Sequence, residues 1–191
     1  MSGNCYKVRL LLAHLGRDYE RRELDVVDRS NRAEILGELN PALRVPTLVF
    51  DDGRSLGESN AIIFYLAEGT EYLPEDPFER AQVLQWQFFE QYSHEPYIAV
   101  LRFWLHVAEM TPSPEEVEAK RRGGEVALAA LEHHLESRSF LVGERYTIAD
   151  IALYAYTHVA DEAGLDLERF PAIRAWLDRV RQQPAHVPIE A

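Results

Sequence analysis

The sequence contains a single cysteine, Cys5, among its 191 residues. One cysteine cannot form a disulfide within the chain, which suits the reducing environment of the cytosol. No stretch approaches the roughly 20 consecutive apolar residues that a transmembrane helix needs. The first residues carry no signal-peptide pattern, because Lys7 and Arg9 interrupt the apolar run. These absences predict a cytoplasmic protein without a membrane anchor.

Positive charge is also scarce, since 20 Lys and Arg residues stand against 32 Asp and Glu residues. The formal net charge of −12 at pH 7 opposes binding to phosphate backbones and to anionic lipid. We therefore expect neither nucleic acid nor a membrane as a partner. A hydrophobic content of 47% is enough for a packed core, and the length allows one large domain or two small ones.

The composition changes near residue 70, and the part before it consists of short segments separated by turn signals. The apolar spacing of NCYKVRLLLAHLG predicts a first helix that ends at Gly16. The segment DYERRELDV alternates loosely and predicts an edge strand. A short helix is expected after Ser30, a hairpin around DDGR, and a further helix with Ser59 as its N-cap.

After a linker at residues 71–76, the sequence to residue 191 is expected to be helical. Leu84, Phe88 and Tyr92 recur every four residues along one predicted helix, and Pro96 is expected to kink or break it. We interpret most aromatic side chains of WQFFEQYSHEPYIAVLRFW as core residues. Three further helices are marked by apolar residues at helical spacing.

Two motifs carry residues that suit ligand binding, and each also has an ordinary structural explanation. In RVPTLVF, Pro46 removes a hydrogen-bond donor at the entrance of a strand. A cis Val45–Pro46 bond would turn the Val45 backbone towards a peptide-like ligand, whereas a plain strand-start proline is the alternative. Glu58 and Ser59 lie at a predicted helix N-terminus, where they either hold a ligand carboxylate and ammonium or form a simple cap.

The opening tetrapeptide SGNC places polar and sulfur-containing side chains in the first turn of the predicted first helix. Ser2, Asn4 or Cys5 could each hydrogen-bond to a sulfur or activate it, because the helix dipole stabilises a thiolate there. The alternative is a simple N-cap by Ser2 or Asn4 with a buried Cys5. The residues alone leave this choice open.

The segment RYTIADIALYAY has a structural signature. Thr147 as N-cap and Asp150 three residues later predict a variant of the capping box. His133 and His134 lack further ligands at metal spacing, so we interpret them as solvent-facing residues and predict no metal site. His14, near the end of the first helix, is expected to be partly charged, because a cation suits the dipole at that end.

Together these motifs resemble the glutathione S-transferase superfamily. S-x-x-C-x-K at the start of the first helix, NPALRVPTL, ESNAIIFYLAE and TIADIALYAY occur in that order and span nearly the whole chain. The resemblance is to bacterial members of the Ser-type, theta-like group. It implies an α/β thioredoxin-like N-terminal domain at residues 1–70 that binds glutathione. An all-α C-terminal domain at residues 77–191 would follow the linker and shape the pocket for the electrophile.

The resemblance also implies roles for particular residues. Ser2 would be the catalytic residue, whose hydroxyl hydrogen-bonds the glutathione sulfur and favours its thiolate. Val45 and Pro46, joined by a cis peptide bond, would pair with the cysteinyl backbone of glutathione, and Glu58 and Ser59 would hold its γ-glutamyl end. Glutathione is a co-substrate in this reaction, the second substrate is a small hydrophobic electrophile, and no other cofactor is expected. A homodimer is the expected assembly.

The aromatic-rich segment supplies candidates for the electrophile pocket, namely Tyr97, Arg102 and Phe103. Two other functions stay open at this point. One is a non-catalytic binding or scaffold protein with the transferase fold. The other is thiol–disulfide exchange through Cys5.

Members of the superfamily begin with a short strand ahead of the serine, whereas Met1 directly precedes Ser2 in this sequence. We hypothesise that the chain is truncated and that the natural product begins several residues upstream. Without that strand, VPTLVF has an unpaired edge and Ser2 lies on a free terminus. We therefore expect a frayed N-terminus, a three-stranded or rearranged sheet, and weak or absent conjugating activity.

Overall fold

The computed structural model describes residues 1–191, which form eight α-helices and one β-hairpin. The helices are α1 (Gly3–His14), α2 (Arg32–Leu36), α3 (Ser59–Leu66), α4 (Pro77–Phe89), α5 (Glu95–Arg102), α6 (Pro114–Leu135), α7 (Ile148–Thr157) and α8 (Pro171–Arg181). The hairpin strands are β1 (Leu48–Val49) and β2 (Ser55–Leu56). None of the helices has the length and apolar character that a membrane span requires.

Helix α1 is the central element of the smaller, N-terminal part, because it packs against both α3 and α7. Its fully buried side chains include Tyr6, Leu10 and Leu11. The hydroxyl of Ser2 accepts a hydrogen bond from the amide of Cys5 at 3.5 Å and caps the helix. The carbonyl of Met1 accepts a hydrogen bond from Arg102 at 2.7 Å. The expected fraying of the first residues is therefore wrong, because these contacts anchor them.

The sheet consists of the antiparallel hairpin alone, in which Leu48 pairs with Leu56 and Val49 pairs with Ser55. The predicted hairpin around DDGR is confirmed. The predicted edge strand in DYERRELDV is wrong, since residues 18–26 form neither helix nor strand. A strand needs a neighbour for its backbone hydrogen bonds, and the two short strands of the hairpin pair only with each other. Of the expected three-stranded or rearranged sheet, the three-stranded form is therefore wrong, because the sheet has two strands.

Helix α2 begins later than the sequence predicts. Ser30 is not its cap, because the N-cap position belongs to Asn31, whose side chain makes no capping hydrogen bond. The helix is held instead by Arg32, which donates to the carbonyls of Leu43 at 3.2 Å and Asp25 at 3.1 Å. These bonds tie α2 to the loops on both sides of it.

The long helical segment that starts with α4 changes its winding twice. One π-helical turn, Glu90–His94, separates α4 from α5, and a second, Phe103–Val107, follows α5. Pro96 lies in the first turn of α5. Its ring and missing amide prevent a regular α-helix from continuing through this point. The predicted kink or break at Pro96 takes the form of a π-helical turn just before it, and the segment stays helical on both sides.

One face of α4 and the following turn is more exposed than the sequence suggests. Leu84, Phe88 and Tyr92 are 36%, 70% and 84% exposed. We call these three residues the outer stripe. The core-facing side of α4 is formed instead by Val83 and Trp86. The assignment of most aromatic side chains of this segment to the core is therefore wrong for Phe88 and Tyr92.

Helix α7 forms the centre of the larger, helical part, and all ten of its residues are buried. The predicted capping box is confirmed, since the amide of Thr147 donates to Asp150 Oδ2 at 2.9 Å. Asp150 Oδ1 also accepts hydrogen bonds from the amide of Leu141 at 3.0 Å and from the indole of Trp176 at 2.9 Å. One carboxylate thus fixes the start of α7, the loop before it and α8.

Two of the histidine predictions need correction. His133 is exposed as expected, whereas His134 is half-buried and its ring lies 4.6 Å from that of Trp86. His14 hydrogen-bonds with the carbonyl of Pro184 at 2.8 Å, and burial lowers its pKa. The imidazole of His14 is therefore neutral at pH 7, because desolvation outweighs the helix dipole.

Candidate functional site

Two adjoining cavities lie where the start of α1 meets the loop before β1 and the helix α5. The main cavity has a volume of about 330 Å³ and the side cavity a volume of about 30 Å³. Asn4, Arg44, Val45 and Glu95 line both of them. The cavities therefore form one cleft between the smaller and the larger part of the molecule.

The side cavity brings together the four residues that the sequence predicts for glutathione binding. Val45, Pro46, Glu58 and Ser59 all line it, although the hairpin separates the two pairs along the chain. The Val45–Pro46 peptide bond is cis, as predicted. Neither the amide nor the carbonyl of Val45 takes part in a backbone hydrogen bond, so both are available to a ligand.

Glu58 has an unusual backbone conformation, with φ 63° and ψ 110°. A non-glycine residue in the left-handed region is strained, and such strain is concentrated at functional sites. Glu58, not Ser59, occupies the N-cap position of α3, which corrects the predicted cap, and its side chain makes no capping hydrogen bond. The first amides of α3 are therefore left for another acceptor, and together with the helix dipole they favour a carboxylate.

Three side chains at the cleft are linked by hydrogen bonds whose direction is set by a buried cation. Lys7 Nζ can only donate, and it lies 3.4 Å from Ser59 Oγ. Ser59 therefore accepts from Lys7 and donates its own proton to Asn4 Oδ1 at 3.2 Å. Since Oδ1 of Asn4 is the acceptor, its Nδ2 group donates to Glu95 Oε1 at 3.3 Å. The side chain of Asn4 thus presents N–H groups, not its carbonyl, to Glu95.

Lys7 is fully buried and forms an ion pair with Glu90 at 2.8 Å, with both side chains shielded from solvent. Asn60 Nδ2 donates to Glu90 Oε2 at 3.0 Å, while Glu90 Oε1 has no partner. Desolvation makes a buried ion pair costly unless further hydrogen bonds support it. Because Lys7 also contacts Ser59, the pair supports a residue that lines the cleft.

Ser2 and Tyr156 line the main cavity next to Asn4. The backbone amide of Asn4 donates to the Tyr156 hydroxyl at 3.3 Å. Burial raises the pKa of Tyr156, so the phenol keeps its proton at neutral pH and can donate it. Gly3 permits this approach, because a Cβ there would lie 2.6 Å from the ring of Tyr156. Tyr156 is not predicted from the sequence, since nothing in its spacing separates it from the core tyrosines.

Cys5 lies apart from this site. It lines neither cavity, and its side chain is half-buried. Burial raises the pKa of the Cys5 thiol, although a hydrogen bond with Ser2 and the charge of Arg9 act in the opposite direction. A thiol with a raised pKa is a poor nucleophile at neutral pH. The geometry therefore weighs against a reactive thiolate at Cys5.

The structure separates the three residues predicted for the electrophile pocket. Arg102 and Phe103 line the main cavity, whereas Tyr97 does not. The ring of Tyr97 lies against α6, with Lys120 Nζ 5.4 Å from its centroid. Tyr97 lies on the side of α5 that packs on α6, since a Cβ at Gly123 of that helix would clash with its ring. The assignment of Tyr97 to the pocket is therefore wrong.

Four arginine side chains line the main cavity, namely Arg29, Arg32, Arg44 and Arg102. Arg102 pairs with Glu162 at 2.5 Å, whereas Arg29 and Arg44 form no ion pair. Among these four arginines, only Arg102 is predicted from the sequence. The overall charge of −12 gives no indication of a positive wall, because it averages over the whole surface.

Comparison with known proteins agrees with this geometry. Residues 1–68 match the family described as "Glutathione S-transferase, N-terminal domain", and residues 86–184 match "Glutathione S-transferase, C-terminal domain". The chain belongs to the glutathione S-transferase family. The resemblance to the glutathione S-transferase superfamily is confirmed, whereas the Ser-type, theta-like group stays a prediction. The fold is also confirmed, a thioredoxin-like N-terminal domain with a short sheet and a mostly helical C-terminal domain.

Individual glutathione S-transferase relatives match along most of their length. The crystal structure of glutathione S-transferase from Pseudomonas fluorescens Pf-5 has 50% identity and a TM-score of 0.95, covering 98% of this chain and 94% of that one. Disulfide-bond oxidoreductase YfcG of Escherichia coli (strain K12) is 32% identical over 190 residues, 95% of this chain and 87% of the relative. A structure of Ure2p in complex with glutathione has 26% identity and a TM-score of 0.87, covering 96% and 92% of the two chains.

Proposed function

We propose that this protein is a glutathione transferase that joins the sulfur of glutathione to a small electrophile. The observation that carries the proposal is the side cavity. The free backbone groups of Val45, the strained Glu58 and the uncapped start of α3 converge there on one small volume. Membership of the glutathione S-transferase family supports the same conclusion.

Each end of glutathione has a complementary group in the cleft. The γ-glutamyl carboxylate suits the first amides of α3 and the Ser59 hydroxyl, which would exchange its hydrogen bond to Asn4 Oδ1 for one to the carboxylate. The adjacent ammonium suits the Glu58 carboxylate. The cysteinyl backbone can pair with the amide and carbonyl of Val45. The glycyl carboxylate suits Arg44, which lines both cavities and has no ion-pair partner.

This orientation puts the glutathione sulfur in the main cavity near Ser2 and Tyr156. Hydroxyl donors lower the pKa of the thiol, because they stabilise the thiolate. The thiolate then attacks the electrophilic carbon of an aryl halide. A carbon–sulfur bond forms, the carbon–halogen bond breaks, and the halide leaves with the bonding electrons. The thiol proton passes to solvent.

Substitutions at the start of α1 test this assignment. Ser2→Ala should lower kcat/KM for conjugation of a generic aryl halide by about 10²-fold, the loss typical of one preorganised donor. Cys5→Ala should remain close to wild type, and both variants should still bind immobilised glutathione. The kcat/KM values of Tyr156→Phe and Asn4→Ala measure how much each of these neighbouring donors contributes to conjugation. An inactive Cys5→Ala beside a fully active Ser2→Ala would contradict the assignment.

Thiol–disulfide exchange is a second candidate, favoured by the similarity to disulfide-bond oxidoreductase YfcG. The thiolate of bound glutathione would attack a disulfide, form a mixed disulfide and release the other half as a thiolate. Because Cys5 lies outside both cavities, no sulfur of the protein is needed. Reduction of a small disulfide by glutathione should then survive Cys5→Ala. Loss of that activity would instead support exchange through Cys5.

A glutathione-binding protein without turnover is the remaining alternative. The structure of Ure2p in complex with glutathione shows that a similar fold holds this ligand. This alternative would be established if calorimetry shows that the protein binds glutathione while it neither conjugates an aryl halide nor reduces a small disulfide.

The outer stripe supports a homodimer. Leu84, Phe88 and Tyr92 present a row of exposed apolar side chains on one face, and such rows mark association surfaces. Sedimentation should give a dimer at micromolar concentration for the wild type and a monomer for Phe88→Glu. Phe78→Glu is the matched control, because Phe78 is 72% exposed on the same helix but lies outside the stripe. A monomeric wild type would contradict the proposal.

A further inference from the structure

Three arginine side chains that line the main cavity, Arg29, Arg32 and Arg44, have no carboxylate partner, and Arg29 and Arg32 are the two that do not also line the side cavity. Arg29 donates from Nε to the carbonyl of Val26 at 3.3 Å, and its guanidinium lies 5.7 Å from the ring centre of Phe103. Arg32 is 6% exposed and donates to two backbone carbonyls, while its buried Nε has no acceptor. A buried donor without an acceptor is unusual in a native structure, and here it lies beside an open cavity.

The positive charges of these arginines act together on the main cavity. Arg29, Arg32 and Arg44 line the same cavity. Burial lowers the pKa of Arg32, and the charges of Arg29 and Arg44 lower it further, while the carboxylate of Asp25 acts in the opposite direction. The carboxyl group in the lining is that of Glu95, whose pKa is raised by burial. The cavity is therefore positive although the molecule carries a net charge of −12, and low-dielectric walls strengthen that field.

Glutathione does not account for this charge if it binds as proposed above, on which this argument rests. Its γ-glutamyl carboxylate lies at the start of α3 and its glycyl carboxylate lies at Arg44. Arg29 is then left without an anionic partner. It lies beside Phe103, on the side of the cavity proposed for the second substrate, and Arg32 lines the same cavity.

We infer that the second substrate is an aromatic electrophile bearing a carboxylate or a similar anionic group, and that Arg29 determines this specificity. The aromatic ring packs against Phe103 and Trp104, which both line the cavity. The anionic group pairs with the planar guanidinium of Arg29, which can donate two parallel hydrogen bonds. This inference replaces the purely hydrophobic electrophile that the family resemblance implies.

Binding of three ligands tests the inference without requiring turnover. The ligands are glutathione, its S-(4-carboxy-2-nitrophenyl) conjugate and the matching carboxamide conjugate. By calorimetry at low salt, the wild type should bind the carboxylate about tenfold more tightly than the carboxamide, as expected for a charge-assisted hydrogen bond. Arg29→Gln should lose this preference and keep its affinity for glutathione. Arg122→Gln, which removes an exposed charge from α6 outside the cavity, should keep the preference.

Each other outcome has a definite meaning. Equal affinity of the wild type for the two conjugates, or a preference that survives Arg29→Gln, overturns the inference and leaves the proposed function intact as long as glutathione binds. If Arg29→Gln lowers the affinity for glutathione as much as it lowers the affinity for the carboxylate conjugate, Arg29 binds glutathione itself and the inference is wrong. If none of the three ligands binds, the proposed function fails and the inference fails with it.

Discussion

Two buried polar clusters position helix starts in this molecule, and they differ in how completely their atoms are paired. The core cluster consists of Asp150 and its donors Leu141, Thr147 and Trp176. The cleft cluster consists of Lys7, Ser59, Asn60 and Glu90, which are joined by hydrogen bonds and an ion pair, together with His94 at the other end of the π-helical turn that begins at Glu90. In the core cluster both oxygens of the carboxylate accept hydrogen bonds. In the cleft cluster Oε1 of Glu90, Oδ1 of Asn60 and Nδ1 of His94 have no partner.

The difference follows from what each cluster contacts. The core cluster joins three elements that are buried on every side, so full pairing there contributes stability and a fixed geometry. The cleft cluster adjoins the cavity through Ser59 and carries the charges of Lys7 and Glu90. Its unpaired atoms leave it sensitive to protonation and to a bound ligand. Changes in the two clusters should therefore affect different measurable quantities.

The cleft cluster contains a histidine whose protonation state is fixed by its neighbours. Thr157 donates its hydroxyl proton to the carbonyl of Leu153 at 2.7 Å, so its oxygen must accept from His94 Nε2 at 2.9 Å. The proton of neutral His94 is therefore on Nε2. Protonation of Nδ1 would add a buried donor without an acceptor and a second positive charge near Lys7.

The largest expected effect is the acid sensitivity that His94 confers. Burial, aided by the charge of Lys7, lowers the pKa of His94 to about 3 in the folded protein. At a pH above the ordinary histidine pKa of about 6.5, His94 is neutral in both the folded and the unfolded chain and does not lower the free energy of unfolding. As pH falls below that value, the unfolded chain takes up a proton that the folded protein does not. Urea denaturation should show that this residue removes about 4 kcal/mol of stability between pH 6.5 and 3.

His94→Gln keeps a donor for Thr157 and removes the titrating ring. Its stability should fall less steeply with acid than that of the wild type. Part of the acid sensitivity should persist, because burial also lowers the pKa of His158 to about 4. Identical pH profiles for His94→Gln and the wild type would show that His94 does not titrate as the structure requires.

The next largest effect is expected in the core cluster. Asp150→Ala leaves the amides of Leu141 and Thr147 and the indole of Trp176 without an acceptor. Each unpaired buried donor is costly, so the free energy of unfolding should fall by about 3 kcal/mol or more. Asp150→Asn, which keeps one acceptor oxygen, should lose less. An Asp150→Ala variant that unfolds like the wild type but has lost activity would show that Asp150 has a functional role and not a structural one.

Ser59→Ala, in the cleft cluster, should lower ligand affinity more than stability, which is the reverse of the effect expected for Asp150→Ala. The hydroxyl is the group that the side cavity offers to a carboxylate, so glutathione affinity should fall about tenfold. The melting temperature should change much less than in Asp150→Ala. Ser55→Ala is the matched control, since it removes a hydroxyl bonded to the carbonyl of Leu39 outside both cavities. Equal losses of affinity in the two variants would rule out a specific role for Ser59.

Local signals in the sequence were sufficient wherever a short motif determines its own geometry. The capping box at Thr147, the hairpin around DDGR and the irregular helical turn before Pro96 all depend on residues a few positions apart. The glutathione-binding candidates were found as motifs of the same kind, and the structure brings them to one cavity.

Features that depend on distant contacts could not be predicted in this way. The wrong face was assigned to Phe88 because an apolar repeat does not show which side of a helix meets the core. Tyr97 was assigned to the pocket without knowing which side of α5 faces the cavity. The positive wall formed by Arg29 and Arg32 comes from residues that are ordinary loop and helix arginines in the sequence.

The smallest expected effect comes from a second capping box, which has the same chemistry as that of Thr147 in an exposed place. Ser113 accepts from the amide of Glu116 at 3.3 Å, and the amide of Ser113 donates to the Glu116 carboxylate at 2.9 Å. Water can replace these partners at the start of α6, whereas it cannot reach Thr147. Ser113→Ala should therefore lower the free energy of unfolding by only about 0.5–1 kcal/mol, and urea denaturation should show a clearly larger loss for Thr147→Ala. Equal losses would mean that burial does not set the strength of a capping box in this protein.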